Sequence, residues 1–179
     1  MCGICGFAGI QNPELLKNMT DAIYHRGPNS DGVFTQGNNT LGARRLSIID
    51  IEKGDQPITN EDGTVVVVYN GEIYNYIELR EELKNLGWGF RTKTDTEVLL
   101  KTYQQYGEAC LPKFNGMFAF VIYDTVQHSI FLARDRVGIK PLYYTIIDTG
   151  LYFTSEIKAL CQVPALKLSL NHQRASKMR

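Results

Sequence analysis

Residues 64–75 read Thr64-Val65-Val66-Val67-Val68-Tyr69-Asn70-Gly71-Glu72-Ile73-Tyr74-Asn75, and the valine run between Asp62-Gly63 and Asn70-Gly71 is the clearest strand in the chain. β-Branched side chains suit a pleated surface. A run without polar alternation belongs to a strand covered on both faces, so its sheet needs a layer on either side. The Asn70-Gly71 that follows is a hairpin-turn signal, but the next residues have helical spacing: Ile77, Leu79, Leu83 and Leu86, between Asn75 as cap and Gly87 as stop. A strand ending in Asn-Gly ahead of a helix can also aim a side-chain amide and an unencumbered backbone N–H at one point, which suits an oxyanion.

Toward the C-terminus, Thr94-Asp95-Thr96-Glu97 opens a second helix that runs through Val98, Leu99, Tyr103 and Tyr106 to Gly107. Thr94 or Asp95 can cap it, with Glu97 completing a capping box if Thr94 is the N-cap. Asp95 could equally serve as the partner of a ligand ammonium. Strands are expected at 117–124, 129–135, 142–147 and 151–155, and consecutive strands of this kind pair antiparallel. A short helix at 155–161 closes the pattern. Toward the N-terminus, a strand at 4–10 leads to Asn12-Pro13-Glu14, an N-cap, a first-turn proline and a first-turn acid. Leu15, Leu16, Met19, Ala22 and Ile23 continue that helix until His25-Arg26-Gly27-Pro28 stops it. The loop up to Gly32 is either an ordinary connection or a flap over a pocket. A hairpin follows at 32–36 and 40–46 through Gly37-Asn38-Asn39. Arg44-Arg45 then lead into an apolar segment, either as a solvated edge or as a clamp for a ligand carboxylate, which a planar guanidinium fork matches with two parallel hydrogen bonds.

At 179 residues with 44% hydrophobic residues the chain supports one compact soluble domain with a full core. Its 19 basic and 19 acidic residues cancel, which leaves no electrostatic footprint for nucleic acid or an anionic membrane. No basic n-region precedes an apolar run, and the apolar stretches near Val65 and Met117 are far shorter than a membrane span. The expected compartment is the cytoplasm. Cys110 and Cys161 then read as small core residues. Beyond Glu156 the charged side chains are all basic, so 161–179 is expected to be a basic tail or a truncated linker after a domain at 1–160.

The start of the chain, Met1-Cys2-Gly3-Ile4-Cys5-Gly6, places a cysteine behind a single removable methionine. Once Met1 is lost, Cys2 carries thiol and α-amine together, and an amine with a reference pKa of about 7.7–8.0 can activate its own side chain near neutral pH. Cys2-Gly3-Ile4-Cys5 is also a C-x-x-C. A zinc site would need two more ligands at suitable spacing, and a thioredoxin-like pair would follow a strand rather than begin one. The expectation is therefore no metal.

Met1-Cys2-Gly3-Ile4, His25-Arg26-Gly27-Pro28, Arg45-Leu46-Ser47-Ile48-Ile49-Asp50, Asn70-Gly71-Glu72-Ile73-Tyr74-Asn75, Thr94-Asp95-Thr96-Glu97, Asn115-Gly116-Met117-Phe118-Ala119-Phe120 and residues 134–143 (RDRVGIKPLY) occur in this order. Together they resemble the class II glutamine amidotransferases, and among these the glutaminase domain of glutamine-hydrolysing asparagine synthetases. The resemblance implies an α+β fold of the N-terminal-nucleophile hydrolase type, a four-layer αββα sandwich of two antiparallel sheets. It implies Cys2 as nucleophile, Asn70 and Gly71 as oxyanion donors, and Arg45 at the glutamine α-carboxylate. Asp95 and Glu72 would lie near its α-amine and side-chain amide, and the main chain of Leu46, Ser47, Ile48 and Ile49 would wall the pocket. The implied reaction is hydrolysis of L-glutamine to glutamate and ammonia, with the ammonia passed to a synthetase domain or subunit. The glutaminase half needs no cofactor, ATP and magnesium belong to the absent synthetase partner, and a homodimer is admitted. The alternative is a non-catalytic glutamine-binding or scaffold fragment whose Cys2 stays blocked by Met1.

Overall fold

Successive side chains of an extended strand point to opposite faces, and this alternation determines how the layers stack. In the computed structural model, which describes residues 1–46 and 54–169, the valine run lies in a strand, β5 (Val65–Ile73), with Val65 to Val68 all buried. Val65, Val67, Tyr69 and Ile73 face one way, onto two helices, α2 (Tyr76–Asn85) and α3 (Asp95–Tyr106). Val68 faces the other way and meets Ile4, Leu41 and Phe153 of a second sheet.

That second sheet contains β1 (Gly3–Ala8), β2 (Ser30–Gln36), β3 (Asn39–Arg45), β8 (Tyr143–Ile147) and β9 (Gly150–Thr154), in the order β2-β3-β1-β9-β8. The first sheet adds β4 (Ile58–Thr59), β6 (Gly116–Asp124) and β7 (Ser129–Arg134) to β5, in the order β4-β5-β6-β7. Neighbouring strands in both sheets pair antiparallel. The outer face of the five-stranded sheet buries Cys5 and Phe7 against α1 (Pro13–Ala22) and α4 (Ile157–Leu160), where Leu16, Met19 and Leu160 complete the core. The result is the expected helix-sheet-sheet-helix sandwich. Among the described residues no helix is long and apolar enough to cross a membrane.

β5 departs from expectation by continuing through Asn70-Gly71 to Ile73, in register with β6 from Val65↔Asp124 to Ile73↔Gly116. Asn-Gly is neither a turn nor a strand end here. Gly71 is required by the close approach of the two strands, since a Cβ on it would lie 2.4 Å from the Met117 carbonyl oxygen. Two caps also differ. Asn75 occupies the N-cap position of α2, but its side chain joins the backbones of Lys113 and Asn115 instead of capping. Thr94 does cap α3, accepting from Glu97 N, while the Glu97 carboxylate turns to the backbone N–H groups of Arg91 and Thr92. Cys110 is buried as expected, but Cys161 is exposed because α4 ends just before it. The tail residues Arg174, Lys177 and Arg179 lie outside the described residues.

Candidate active site

The alternation that builds the layers also assembles a site at one end of the two sheets. Ile4 points between the sheets, and two residues earlier Cys2 shares its side; Val68 points between them from β5, and two residues later Asn70 shares its side. The same parity sends Cys5 into the opposite core with α1, where burial raises its thiol pKa to about 12. Cys2 and Cys5 are thus separated by the sheet, and both are free thiols.

A cavity of about 170 Å³ opens where the strand ends meet. It is lined by seven of the residues singled out from sequence: Cys2, Arg45, Leu46, Asn70, Gly71, Glu72 and Asp95. Ser47, Ile48 and Ile49 lie outside the described residues. The Cys2 Sγ accepts from Leu46 N at 3.4 Å and lies 3.8 Å from Leu46 O. The nearly fully buried Asn70 amide has its nitrogen 3.0 Å from the Cys2 carbonyl oxygen and its oxygen 3.2 Å from Arg26 Nη2. This orientation, assigned from the partners, pairs a donor with an acceptor on both sides.

Gly71 contributes through its backbone. Phe118, its partner in β6, donates its N–H to the Asp135 carboxylate and accepts with its C=O from Asp135 N, so both groups point toward β7. Gly71 and Phe118 therefore form a non-hydrogen-bonded pair, and the Gly71 N–H points to the other edge of β5. On that edge the flanking odd-numbered amides are taken, Tyr69 N by Gln56 Oε1 at 2.7 Å and Ile73 N by Asp95 Oδ2 at 3.1 Å. The Gly71 N–H lies between them, at the cavity.

Asp95 is the first residue of α3, where the helix dipole favours an anion. Its Oδ2 also accepts from Tyr69 Oη at 2.7 Å. Burial raises its carboxyl pKa, and the hydrogen bonds from Tyr69, Ile73 and Thr96 offset that only in part. Burial likewise raises Glu72, helped by the neighbouring Asp95 charge and opposed by Lys140. Tyr69 stays a neutral donor, pushed well above its ordinary value by burial and by Asp95. The buried Arg45 pairs with the exposed Asp55 at 3.1 Å. The cavity lining thus carries two cations, Arg45 and Lys140, and two carboxylates, Asp95 and Glu72.

Several lining or supporting residues were not legible in advance. Gln56 and Tyr69 hold the β5 edge, and Lys140 lines the cavity with its Nζ 3.2 Å from Met1 Sδ. Arg26, in the 3-10 turn Tyr24–Arg26 that follows α1, donates Nε to the Cys2 carbonyl at 2.9 Å. That turn therefore braces the N-terminus. Its signal was the His25-Arg26-Gly27-Pro28 motif, but no local spacing rule reveals a contact spanning 24 residues.

Comparison with known proteins identifies the family. A family model described as a glutamine amidotransferase domain matches residues 1–178. The chain belongs to the glutamine amidotransferase family. Asparagine synthetase [glutamine-hydrolyzing] 1 of Bacillus subtilis is 52% identical over 167 residues, or 88% of this chain and 26% of that protein. Asparagine synthetase [glutamine-hydrolyzing] 1 of Arabidopsis thaliana is 40% identical over 166 residues, or 89% of this chain and 28% of that protein. The amidotransferase chain spans about a quarter of the length of the curated relatives it matches. Its fold is shared with the glutamine phosphoribosylpyrophosphate amidotransferase of B. subtilis, with a TM-score of 0.78 and 22% identity, covering 93% of this chain and 44% of that one.

Proposed function

We propose that this domain hydrolyses the side-chain amide of glutamine with Cys2 as nucleophile. The observation that carries the reading is that one cavity gathers a thiol, an arginine, two carboxylates and the Asn70-Gly71 pair. A free amino acid offers one carboxylate and one ammonium. Arg45 takes the first and Asp95 the second, leaving the side-chain amide directed at Cys2.

In the reaction, loss of Met1 gives Cys2 a free α-amine, which takes the thiol proton as the sulfur attacks Cδ of glutamine. The carbonyl oxygen becomes an oxyanion held by the Gly71 N–H and by Asn70 Nδ2. That amide has two N–H donors, and the Cys2 carbonyl uses one. Collapse of the intermediate breaks the C–N bond, and the α-ammonium returns its proton to the departing ammonia. Water then cleaves the γ-glutamyl thioester to glutamate and regenerates the thiol. This half-reaction as written uses no cofactor.

The ammonia goes to a synthetase domain or subunit, a reading supported by the names of the asparagine synthetase relatives; ATP and magnesium would act in that partner and not in the glutaminase site. The reaction belongs in the cytoplasm, where free glutamine and ATP are supplied. The test is glutamate release from glutamine by the wild type and by Cys2→Ala. Hydrolysis confined to the wild type supports the reading, and equal rates in both would overturn it.

A further inference from the structure

Arg26 and Glu156 take no chemical part in the reaction written above, yet both are tied to the groups that do. We infer that Glu156 is a positioning residue of the glutaminase site: its carboxylate fixes the Arg26 guanidinium, which sets the Cys2 backbone and the Asn70 amide in register with each other. The inference rests on the reading of Cys2 as nucleophile and Asn70 as oxyanion donor.

The geometry is specific. The Arg26 side chain is 9% exposed, so its charge is largely desolvated and needs partners. Its three nitrogens serve three acceptors: Nε the Cys2 carbonyl at 2.9 Å, Nη1 Glu156 Oε1 at 3.0 Å, and Nη2 the Asn70 amide oxygen at 3.2 Å. A guanidinium is a rigid plane, so fixing one edge fixes the directions of the other two donors. Glu156 fixes that edge, and it is itself well anchored. It follows Ser155, whose Oγ accepts from Ile4 N at 3.0 Å and whose N–H donates to Ile4 O at 2.8 Å. The Ser155-Glu156 corner at the end of β9 thus holds the backbone two residues past Cys2 and, through Arg26, the carbonyl of Cys2 itself.

The remaining groups facing this carboxylate are the exposed His25, with Nε2 2.8 Å from Oε1, and the exposed Lys158, with Nζ 3.2 Å from Oε2. Burial raises the Glu156 pKa, but the hydrogen bonds from Arg26, His25 and Lys158 outweigh it and leave the value at about 2. The carboxylate is therefore ionised in any ordinary assay. Because the relay ends on both the nucleophile's residue and the oxyanion donor, a slack Arg26 displaces the two together. Misplacement of about 1 Å can cost on the order of a hundredfold in rate.

The test compares Glu156→Ala, Glu156→Gln, Arg26→Lys, His25→Ala and Lys158→Ala with wild type in the purified protein. Folding is checked by circular dichroism, and kcat and KM for glutamine are measured. Glu156→Ala should lower kcat about 10- to 100-fold, while KM stays within about twofold because Arg45 and Asp95 are untouched. Glu156→Gln keeps an oxygen for Arg26 Nη1 and should recover most of that loss. Arg26→Lys, which keeps the charge but cannot serve three acceptors, should lose kcat as Glu156→Ala does, and it carries the test if Glu156→Ala does not fold. His25→Ala and Lys158→Ala should retain wild-type kcat. Wild-type kcat in folded Glu156→Ala or Arg26→Lys, a change confined to KM, or equal losses in all five variants would overturn the inference. Cys2→Ala separates the two levels of the account: if it still hydrolyses glutamine the active-site reading fails, whereas an inert Cys2→Ala beside fully active Glu156 and Arg26 variants defeats the positioning role alone.

Discussion

Replacing Asn70 by alanine removes one group with two separable duties. Under the proposed mechanism it removes an oxyanion donor from the transition state, a loss that typically costs about a hundred- to a thousandfold in kcat, or about 2.7–4 kcal/mol. In the ground state it leaves Arg26 Nη2 without its acceptor, and the Cys2 carbonyl keeps the Arg26 Nε bond but loses the amide donor. An unsatisfied buried group of this kind costs about 1–3 kcal/mol of stability. Asn70→Asp divides the two duties. A carboxylate still accepts from Arg26 and so restores that part of the stability, although its second oxygen now faces the Cys2 carbonyl oxygen; it offers no donor and places negative charge where the oxyanion would form. The assay is steady-state glutamate release over a range of glutamine concentrations, beside thermal unfolding of the same preparations. Asn70→Ala should lose both kcat and melting temperature, while Asn70→Asp recovers part of the temperature through Arg26 and loses kcat at least as far. Wild-type kcat in either variant, or a defect confined to KM, refutes the oxyanion assignment.

Asp95→Asn should raise the KM for glutamine roughly ten- to a hundredfold, the value of a charge-assisted bond to an ammonium, as read by initial rates. Because burial raises the folded-state pKa of Asp95, its ionised form costs stability above that value and the cost disappears as pH falls through it. Asp95→Asn should therefore melt at or above the wild-type temperature at pH 7, and a clear drop would contradict the sign. Glu156 is the opposite case, its pKa depressed to about 2. The stability margin of wild type over Glu156→Gln in denaturant titrations should be full above the unfolded carboxyl pKa and shrink as pH falls from about 4.5 toward 2. Gly71→Ala should lose at least about 1–3 kcal/mol in the same titration, because the added Cβ meets backbone atoms of Met117 and Phe118 at 2.4 and 2.7 Å. Thr94→Ala should lose about 1 kcal/mol with its cap on α3.

The sandwich was legible because its elements carry strong local signals. The valine run announced a strand covered on both faces, Asn12-Pro13-Glu14 and Thr94 announced helix starts, and Gly87 and Gly107 announced stops. Asn70-Gly71 misled for a physical reason. The dipeptide that favours a tight turn also suits a strand pressed so closely against its neighbour that a side chain cannot fit, and only the pairing with β6 distinguishes the two. Cys161 misled because its burial depended on where a four-residue helix ended. Within the site, the charged side chains that line the cavity stood out as residue types, Arg45 and Asp95 among them. Those that hold other protein groups did not: Arg26, Gln56 and Glu156 act across 13 to 130 residues of sequence, and nothing local records such a reach.

Intact-mass spectrometry of the active protein, before and after exposure to a glutamine analogue carrying an electrophilic carbon at the δ position, bears most directly on the first cysteine as the reacting group. The account predicts a chain lighter by one methionine that gains a single adduct on Cys2 as glutamine hydrolysis disappears. A preparation that retains Met1, stays unlabelled at Cys2 and still releases ammonia at the full rate would contradict it.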